Sequence, residues 1–159
     1  TGTNGKTTTT RLVADALRAD DRSVVSTRGA NLPTGQVEPL STDAPEVVLE
    51  VDELYVPRLA ASLRASTLVL LNISRDQLDR ITEIRRIAEA WRELLVHADW
   101  PLTVVANADD PLVVWAVGDH RPVVWVRGGY WWCAASRHDF SRGRLLRSCG
   151  GRGARRGLG

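Results

Sequence analysis

The chain has 159 residues, and its 43% hydrophobic and 25% charged content is typical of a globular protein with one buried core. The net charge of +2 is unevenly divided, with −5 on residues 1–126 and +7 on residues 127–159. The larger, acidic part gives no electrostatic reason to expect nucleic-acid binding. No apolar run approaches the ~20 residues of a membrane span. Cys133 and Cys149 indicate no disulfide framework, so we expect a reducing, cytoplasmic compartment.

The first ten residues contain the end of a phosphate-binding pattern, Gly5-Lys6-Thr7, directly before a predicted helix. Glycines let backbone N–H groups surround an anion, and the helix start adds its positive dipole end. Lys6 is the only lysine in the chain, which favours a specific need for an ammonium there. The alternative is a Gly/Thr-rich surface turn, because the first glycine of the full pattern would precede Thr1.

Apolar spacing predicts alternating helices and strands along residues 1–126. The predicted helices cover residues 7–18, 57–64, 84–95 and 111–117, and the predicted strands cover residues 24–26, 47–51, 67–73, 102–106 and 122–126. Residues 29–35 are predicted to form a loop, and Asp110-Pro111 is typical of a helix N-cap followed by the first helical residue. Trp91 and Trp115 are predicted to face the core. This order favours an α/β domain with a mostly parallel sheet flanked by helices.

Residues 127–159 lack this periodicity and are rich in arginine and glycine. We expect an irregular tail that is disordered or read in a shifted frame, with an RNA-binding segment as the alternative. The chain also has no methionine and begins inside a motif. We therefore expect a fragment that has lost its start.

Polar clusters follow three predicted strands, and the carboxyl ends of parallel strands are where such sheets bind ligands. Glu50, the first acid after an apolar strand, is a candidate Mg²⁺ ligand together with Thr7, although a solvated strand end is the alternative. Residues 72–79 are candidates for a phosphate and metal site, or for a loop with an Asp79 helix cap. In the third cluster Asp110 is assigned to the cap, which leaves Asn107 and Asp109 as nucleotide-side candidates.

Four segments in order resemble the central ATPase domain of the Mur ligase family. They read Gly-Thr-Asn-Gly-Lys-Thr-Thr at residues 2–8, Leu-Glu-Val-Asp-Glu at 49–53, Leu-Asn-Ile-Ser-Arg-Asp-Gln-Leu-Asp-Arg at 71–80 and Asn-Ala-Asp-Asp-Pro at 107–111. The resemblance covers residues 1–126 and implies a P-loop NTPase-like fold. Residues 28–35 and Gln77 resemble the MurT subgroup of that family.

The resemblance implies an ATP-dependent carbon–nitrogen ligase of peptidoglycan synthesis. The α-carboxyl of D-glutamate in the lipid II stem peptide would become an acyl phosphate, and ammonia from a GatD-type glutaminase subunit would displace the phosphate. Thr7 and Glu50 are implied to hold Mg²⁺. The implied ATP-binding residues are Gly2, Thr3, Asn4, Gly5, Lys6, Thr7, Thr8, Asn72, Asn107 and Asp109.

The sequence departs from the family at three points. Gln77 stands where most Mur ligases have histidine, which argues against a second Mg²⁺. No Cys-x-x-Cys pair is present, so the zinc ribbon of the subgroup is not expected here. The C-terminal domain of the family is absent, so we assign no catalytic residue and expect this chain alone to be inactive.

Three other functions remain open from the sequence. The first is a folylpolyglutamate-synthetase-like enzyme or another Mur ligase, with an amino acid as nucleophile. The second is an inactive, truncated nucleotide-binding module. The third is an unrelated P-loop NTPase, which would need a Walker-B aspartate where Leu49-Glu50 offers a glutamate.

Overall fold

The structure, a computed structural model, describes residues 1–27, 33–73, 81–128 and 146–147. Helices and strands alternate over this part of the chain, as the sequence predicts. The helices are α1 (Lys6–Ala19), α2 (Val37–Leu40), α3 (Val56–Leu63), α4 (Ile81–His97) and α5 (Pro111–Val117), with a 3-10 helix at Pro33–Gln36. The strands are β1 (Val24–Ser26), β2 (Glu46–Val48), β3 (Thr67–Leu70), β4 (Thr103–Asn107), β5 (Val123–Val126) and β6 (Leu146–Arg147).

The strands form two hydrogen-bonded groups. β1 pairs in parallel with β2, and β3, β4 and β5 are parallel neighbours in that order. The two-residue β6 adds to β5 in antiparallel orientation, at positions that the sequence assigned to an irregular tail. Because the sheets are mainly parallel and alternate with helices, the predicted α/β class is confirmed.

The buried apolar cluster lies entirely between residues 56 and 125. It is built from β3, β4, β5 and the helices α3, α4 and α5, and Trp91 at its centre is 0% exposed. In contrast, α1 contributes only Ala14 to the fully buried apolar residues. The segment that begins with the phosphate-binding pattern is therefore attached to a core that other elements form.

Trp115 corrects one sequence prediction, because its side chain is 46% exposed instead of core-facing. The buried residues of α5 are Val113, Ala116 and Val117, which share one helix face. Trp115 lies off that face, where the Arg92 guanidinium covers its ring at 5.0 Å from the ring centroid.

Other differences are shifts of boundaries. The strand predicted at residues 47–51 is β2, which ends earlier, at Val48. Residues 33–35 of the predicted loop belong to the 3-10 helix. The predictions for Gln77, Asp79, Cys133 and Cys149 fall outside the described residues. Within the described ranges, no helix is both long and apolar enough to cross a membrane.

Candidate functional site

The loop before α1 needs glycine at two positions. Gly5, the residue before the first helical turn, has φ of 82°, in the left-handed region that favours glycine. A side chain on Gly2 would place its Cβ 2.8 Å from the backbone nitrogen of Asn72, which is too close for any residue with a Cβ. No side chain caps α1 and no acid lies in its first turn. The helix start therefore keeps backbone N–H groups and a positive dipole end for an anion.

Hydrogen bonds tie this loop to the carboxyl end of β3. Thr1 N donates to Val69 O at 2.8 Å, and Thr3 N donates to Asn72 O at 2.9 Å. The Asn72 amide then holds Asn4 twice, because Oδ1 accepts from Asn4 N at 2.9 Å and Nδ2 donates to Asn4 O at 3.0 Å. Asn72, predicted to face the nucleotide, thus uses its amide to shape the loop.

Lys6 folds back over the loop that precedes it. Its ammonium lies 2.7 Å from Gly2 O and 3.2 Å from Glu53 Oε2. The two side chains of this ion pair are only 13% and 17% exposed. The position of Lys6 beside the helix start is where a phosphate-binding loop needs a cation.

Thr7 and Glu50 meet at the first turn of α1, although 43 residues separate them. Thr7 Oγ1 donates to Glu50 Oε1 at 2.9 Å. Glu50 is 4% exposed, and its second oxygen, Oε2, is buried without a hydrogen-bond partner among the described residues. A buried carboxylate oxygen without a donor is costly unless a cation or another donor binds it. The oxygen pair therefore fits a hard cation such as Mg²⁺.

The backbone of Glu50 is fixed on both sides by two buried polar residues that sequence reasoning missed. Glu50 N donates to Thr27 Oγ1 at 2.7 Å, and Gln36 Nε2 donates to Glu50 O at 2.7 Å. Gln36 lies at the end of the 3-10 helix, and Thr27 directly follows β1. No spacing pattern in the sequence distinguishes these two side chains from surface polar residues.

Glu53, the last acid of the same cluster, has a different environment. Its carboxylate faces Lys6, and its main-chain oxygen accepts a hydrogen bond from Trp91 Nε1 at 3.0 Å. Trp91 belongs to α4 and is part of the core. The turn that carries Glu53 is therefore anchored to the core while its carboxylate reaches the loop.

The third predicted cluster lies at the carboxyl end of β4, beside β3. Asn107 Oδ1 accepts from Asp109 N at 2.9 Å, and Asp109 Oδ2 accepts from Gly128 N at 2.7 Å. Asp109 Oδ1 is buried and has no hydrogen-bond partner within the described ranges. Asp110 caps α5 as predicted and also accepts from Ile73 N at 2.7 Å. That last bond links this cluster to the residue after Asn72.

The structure thus brings the predicted site residues together in two groups at one edge of the domain. The first group contains Lys6, Thr7 and Glu50 with Glu53, around the start of α1. The second contains Asn107 and Asp109, joined to the loop through Asp110 and the segment at Asn72. Thr8 lies exposed on the first turn of α1.

The fold and these groups define an α/β domain with a glycine-containing loop at a helix start and a buried carboxylate, that of Glu50, beside the Thr7 hydroxyl. Residues 1–126 match the family model described as Mur ligase middle domain. The chain belongs to the Mur ligase family. This finding confirms the resemblance recognised in the four sequence segments.

Curated relatives fall into two kinds. The lipid II isoglutaminyl synthase (glutamine-hydrolyzing) subunit MurT of Staphylococcus aureus strain COL is 36% identical over 113 residues, which are 63% of this chain and 26% of that protein. The Streptococcus pneumoniae MurT subunit is 36% identical over 118 residues, covering 64% and 26%. The UDP-N-acetylmuramoylalanine–D-glutamate ligase of Desulfotalea psychrophila is 42% identical over 82 residues, covering 50% and 17%. The chain spans about a quarter or less of the length of these relatives.

Proposed function

We propose that this domain binds Mg-ATP at the loop before α1. The observation that carries the proposal is the contact between Thr7 Oγ1 and Glu50 Oε1, together with the buried, unpartnered Glu50 Oε2. Lys6 lies at the same helix start and would bind the β- and γ-phosphates. Backbone N–H groups of residues 5–8 would hold the phosphate oxygens, because Thr3 N and Asn4 N already bind Asn72.

Thr7 and Glu50 would hold Mg²⁺. The part of the chain that the structure describes contains no group of three or more His, Cys, Asp or Glu side chains arranged for a metal. Two protein oxygens with phosphate and water completing the shell is the usual arrangement for Mg²⁺ bound with a nucleotide. When bound, the ion would neutralise charge on the phosphates. Asn107 and Asp109 are proposed as contacts on the nucleotide side of the site.

The proposal for the whole protein is an amide-forming ligase of the MurT kind. The MurT matches extend over 113 and 118 residues, whereas the D-glutamate ligase matches extend over 79 to 94 residues. A carboxylate oxygen of the lipid II D-glutamate would take the γ-phosphoryl group and release ADP. Ammonia would then attack the carbonyl carbon and form the carbon–nitrogen bond. The bond between this carbon and the phosphate oxygen would break, and phosphate and a proton would be released. Lys6 would stabilise the transferring phosphoryl group.

The proposed partners follow from the same comparison. The relatives are named as subunits of a glutamine-hydrolyzing synthase, so we propose a GatD-type glutaminase subunit as the source of ammonia and lipid II as the substrate. We also propose a cytoplasmic location, which rests on the reducing compartment predicted from the two cysteines.

Isothermal titration calorimetry of Mg-ATP into the 159-residue chain tests the site. We expect binding by the wild type, loss in Lys6→Ala and retention in Arg11→Ala, which removes one positive charge from an exposed position of the same helix. Mg²⁺ is expected to raise the nucleotide affinity of the wild type and of Glu89→Gln, an exposed change on α4, but not that of Glu50→Gln. Equal affinity of Lys6→Ala and wild type, in chains that are folded by circular dichroism, would refute the proposal.

A chimera tests the activity of the whole protein. Residues 1–126 replace the matching segment of the S. aureus MurT subunit, and the complex is assayed with lipid II, glutamine and Mg-ATP. Mass spectrometry is expected to detect the amidated stem peptide with this chimera. The chimera that carries Lys6→Ala is expected to give no amidated product. In a second assay the same chimera receives UDP-N-acetylmuramoylalanine, D-glutamate and Mg-ATP, and D-glutamate addition there, without amidation of lipid II, would instead support the second candidate, a D-glutamate ligase.

A further inference from the structure

The ammonium of Lys6 has three N–H donors, and three acceptors of the protein surround it. Nζ lies 2.7 Å from Gly2 O, 3.4 Å from Thr3 O and 3.2 Å from Glu53 Oε2. A phosphate oxygen that binds this ammonium needs one of the same donors. Nucleotide binding at the loop therefore requires the exchange of an existing contact.

Glu53 is the contact that is exchanged most easily. The two carbonyl acceptors belong to the loop itself, whose backbone is held against β3 by Thr3 N and Asn4 N. The Glu53 carboxylate ends a side chain with rotatable bonds and is partly exposed, so it can turn into solvent. Its negative charge is also repelled by a phosphate that approaches the same ammonium.

We propose that Glu53 is a positioning residue that holds Lys6 in the nucleotide-free domain and competes with nucleotide phosphates for its ammonium. This inference rests on the proposed nucleotide site. Trp91 Nε1 anchors the main chain of Glu53, so the carboxylate remains close to the loop after it leaves Lys6. Ligands with a β-phosphate displace it, whereas a monophosphate that does not reach Lys6 gains nothing from its removal. Glu53 thus lowers the affinity for nucleoside di- and triphosphates and leaves the affinity for monophosphates unchanged.

The single lysine of the chain makes the contact directly observable. A chain grown with ¹³C,¹⁵N-lysine carries one labelled side chain, so its NMR signals report on Lys6 alone. Without nucleotide, Glu53→Gln is expected to shift the Lys6 Nζ and Cε resonances. Asp52→Asn makes the same charge change one residue away, at a carboxylate that accepts from Leu54 N, and is expected to leave them in place. Unchanged Lys6 resonances in Glu53→Gln would overturn the inference, whether or not the chain binds nucleotide.

Calorimetry with Mg-ADP and AMP tests the competition. Since partly exposed ion pairs contribute up to about 1 kcal/mol, Glu53→Gln is expected to bind Mg-ADP about 2- to 5-fold more tightly than wild type. AMP affinity is expected to stay unchanged in Glu53→Gln. Should Glu53→Gln fail to fold, Glu53→Asp, with a carboxylate one methylene shorter, is expected to show a gain of the same sign.

The outcomes separate the inference from the proposed function. Wild-type binding with equal or weaker binding by Glu53→Gln would overturn the role of Glu53 and leave the nucleotide site intact. A folded wild type that does not bind Mg-ADP would refute the site and with it the competition, while the lysine NMR still decides whether Glu53 holds Lys6.

Discussion

Asp110, after β4, accepts three backbone hydrogen bonds, two from the start of α5 and one from Ile73, which follows the neighbouring strand β3. Its Oδ1 accepts from Leu112 N at 2.8 Å and from Val113 N at 3.1 Å, which caps α5. Its Oδ2 accepts from Ile73 N at 2.7 Å, next to the residue that shapes the loop. Asp110→Ala removes all three acceptors. We predict that it is among the most destabilising single changes of a charged residue in the domain.

The magnitude follows from the separate contacts. Loss of an N-cap side chain costs about 1 kcal/mol of unfolding free energy. The bond from Ile73 N goes to a charged acceptor at a buried residue, and its loss costs about 1.5–3 kcal/mol. Asp110→Ala should therefore cost about 2.5–4 kcal/mol. Asp110→Asn keeps one oxygen that can cap α5, and its cost should therefore fall below that of alanine. It still loses the bond from Ile73 N, because the amide places an N–H donor there.

Urea unfolding followed by circular dichroism measures these differences. The control is Asp99→Ala, which removes an ion pair with Arg64 at 3.5 Å between two exposed side chains. That change should cost no more than about 0.5 kcal/mol. If Asp110→Ala destabilises the chain no more than Asp99→Ala does, the link between the two strand ends does not exist in solution and the reasoning is refuted.

Two glycines with close neighbours are each expected to reject a methyl group. Gly2→Ala places Cβ 2.8 Å from Asn72 N, so the loop moves and Mg-ADP affinity in calorimetry should fall about tenfold or more. Gly118→Ala, at φ of 51° and with Cβ 2.6 Å from an Arg92 nitrogen, should lower the free energy of unfolding in urea by about 1–2 kcal/mol. Amides of α1 should exchange with deuterium faster than those of α4, because the buried apolar cluster lies in residues 56–125. Equal protection of the two helices would contradict this reading of the core.

Local chemistry explains which elements the sequence predicts well. Asp110 and Pro111 determine the start of α5 within a few residues, because the cap and the proline act on the adjacent helical turn. The apolar spacing of α4 likewise predicts a core-facing Trp91. In α5, by contrast, seven residues make only two turns, and the sequence places Trp115, which follows Val113 and precedes Ala116, on the same buried face as these two residues, which is the wrong face. Short helices give too few repeats to fix a face by periodicity.

Contacts between distant segments explain what sequence reasoning missed. The pairing of Lys6 with Glu53 joins side chains 47 residues apart, and nothing in either local sequence specifies the partner. Gln36 is similar, because its role depends on the position of Glu50 O after the chain has folded. Glu50 itself was selected as a metal ligand because it follows an apolar strand. The structure places it against Thr7, and its assignment as a Mg²⁺ ligand stays a prediction.

Glu50 and Glu53 lie three residues apart, yet their surroundings suit them to different tasks. Thr27 and Gln36 fix the backbone of Glu50 on both sides, and its carboxylate is buried, so its oxygens have little freedom. A rigid carboxylate meets the strict geometry that Mg²⁺ demands. Glu53 has one main-chain anchor and a partly exposed carboxylate, which fits the release of Lys6 that we propose for it. Neither residue suits the role proposed for the other. The buried carboxylate of Glu50 has no solvent to turn into, and the more mobile carboxylate of Glu53 would hold a metal ion poorly.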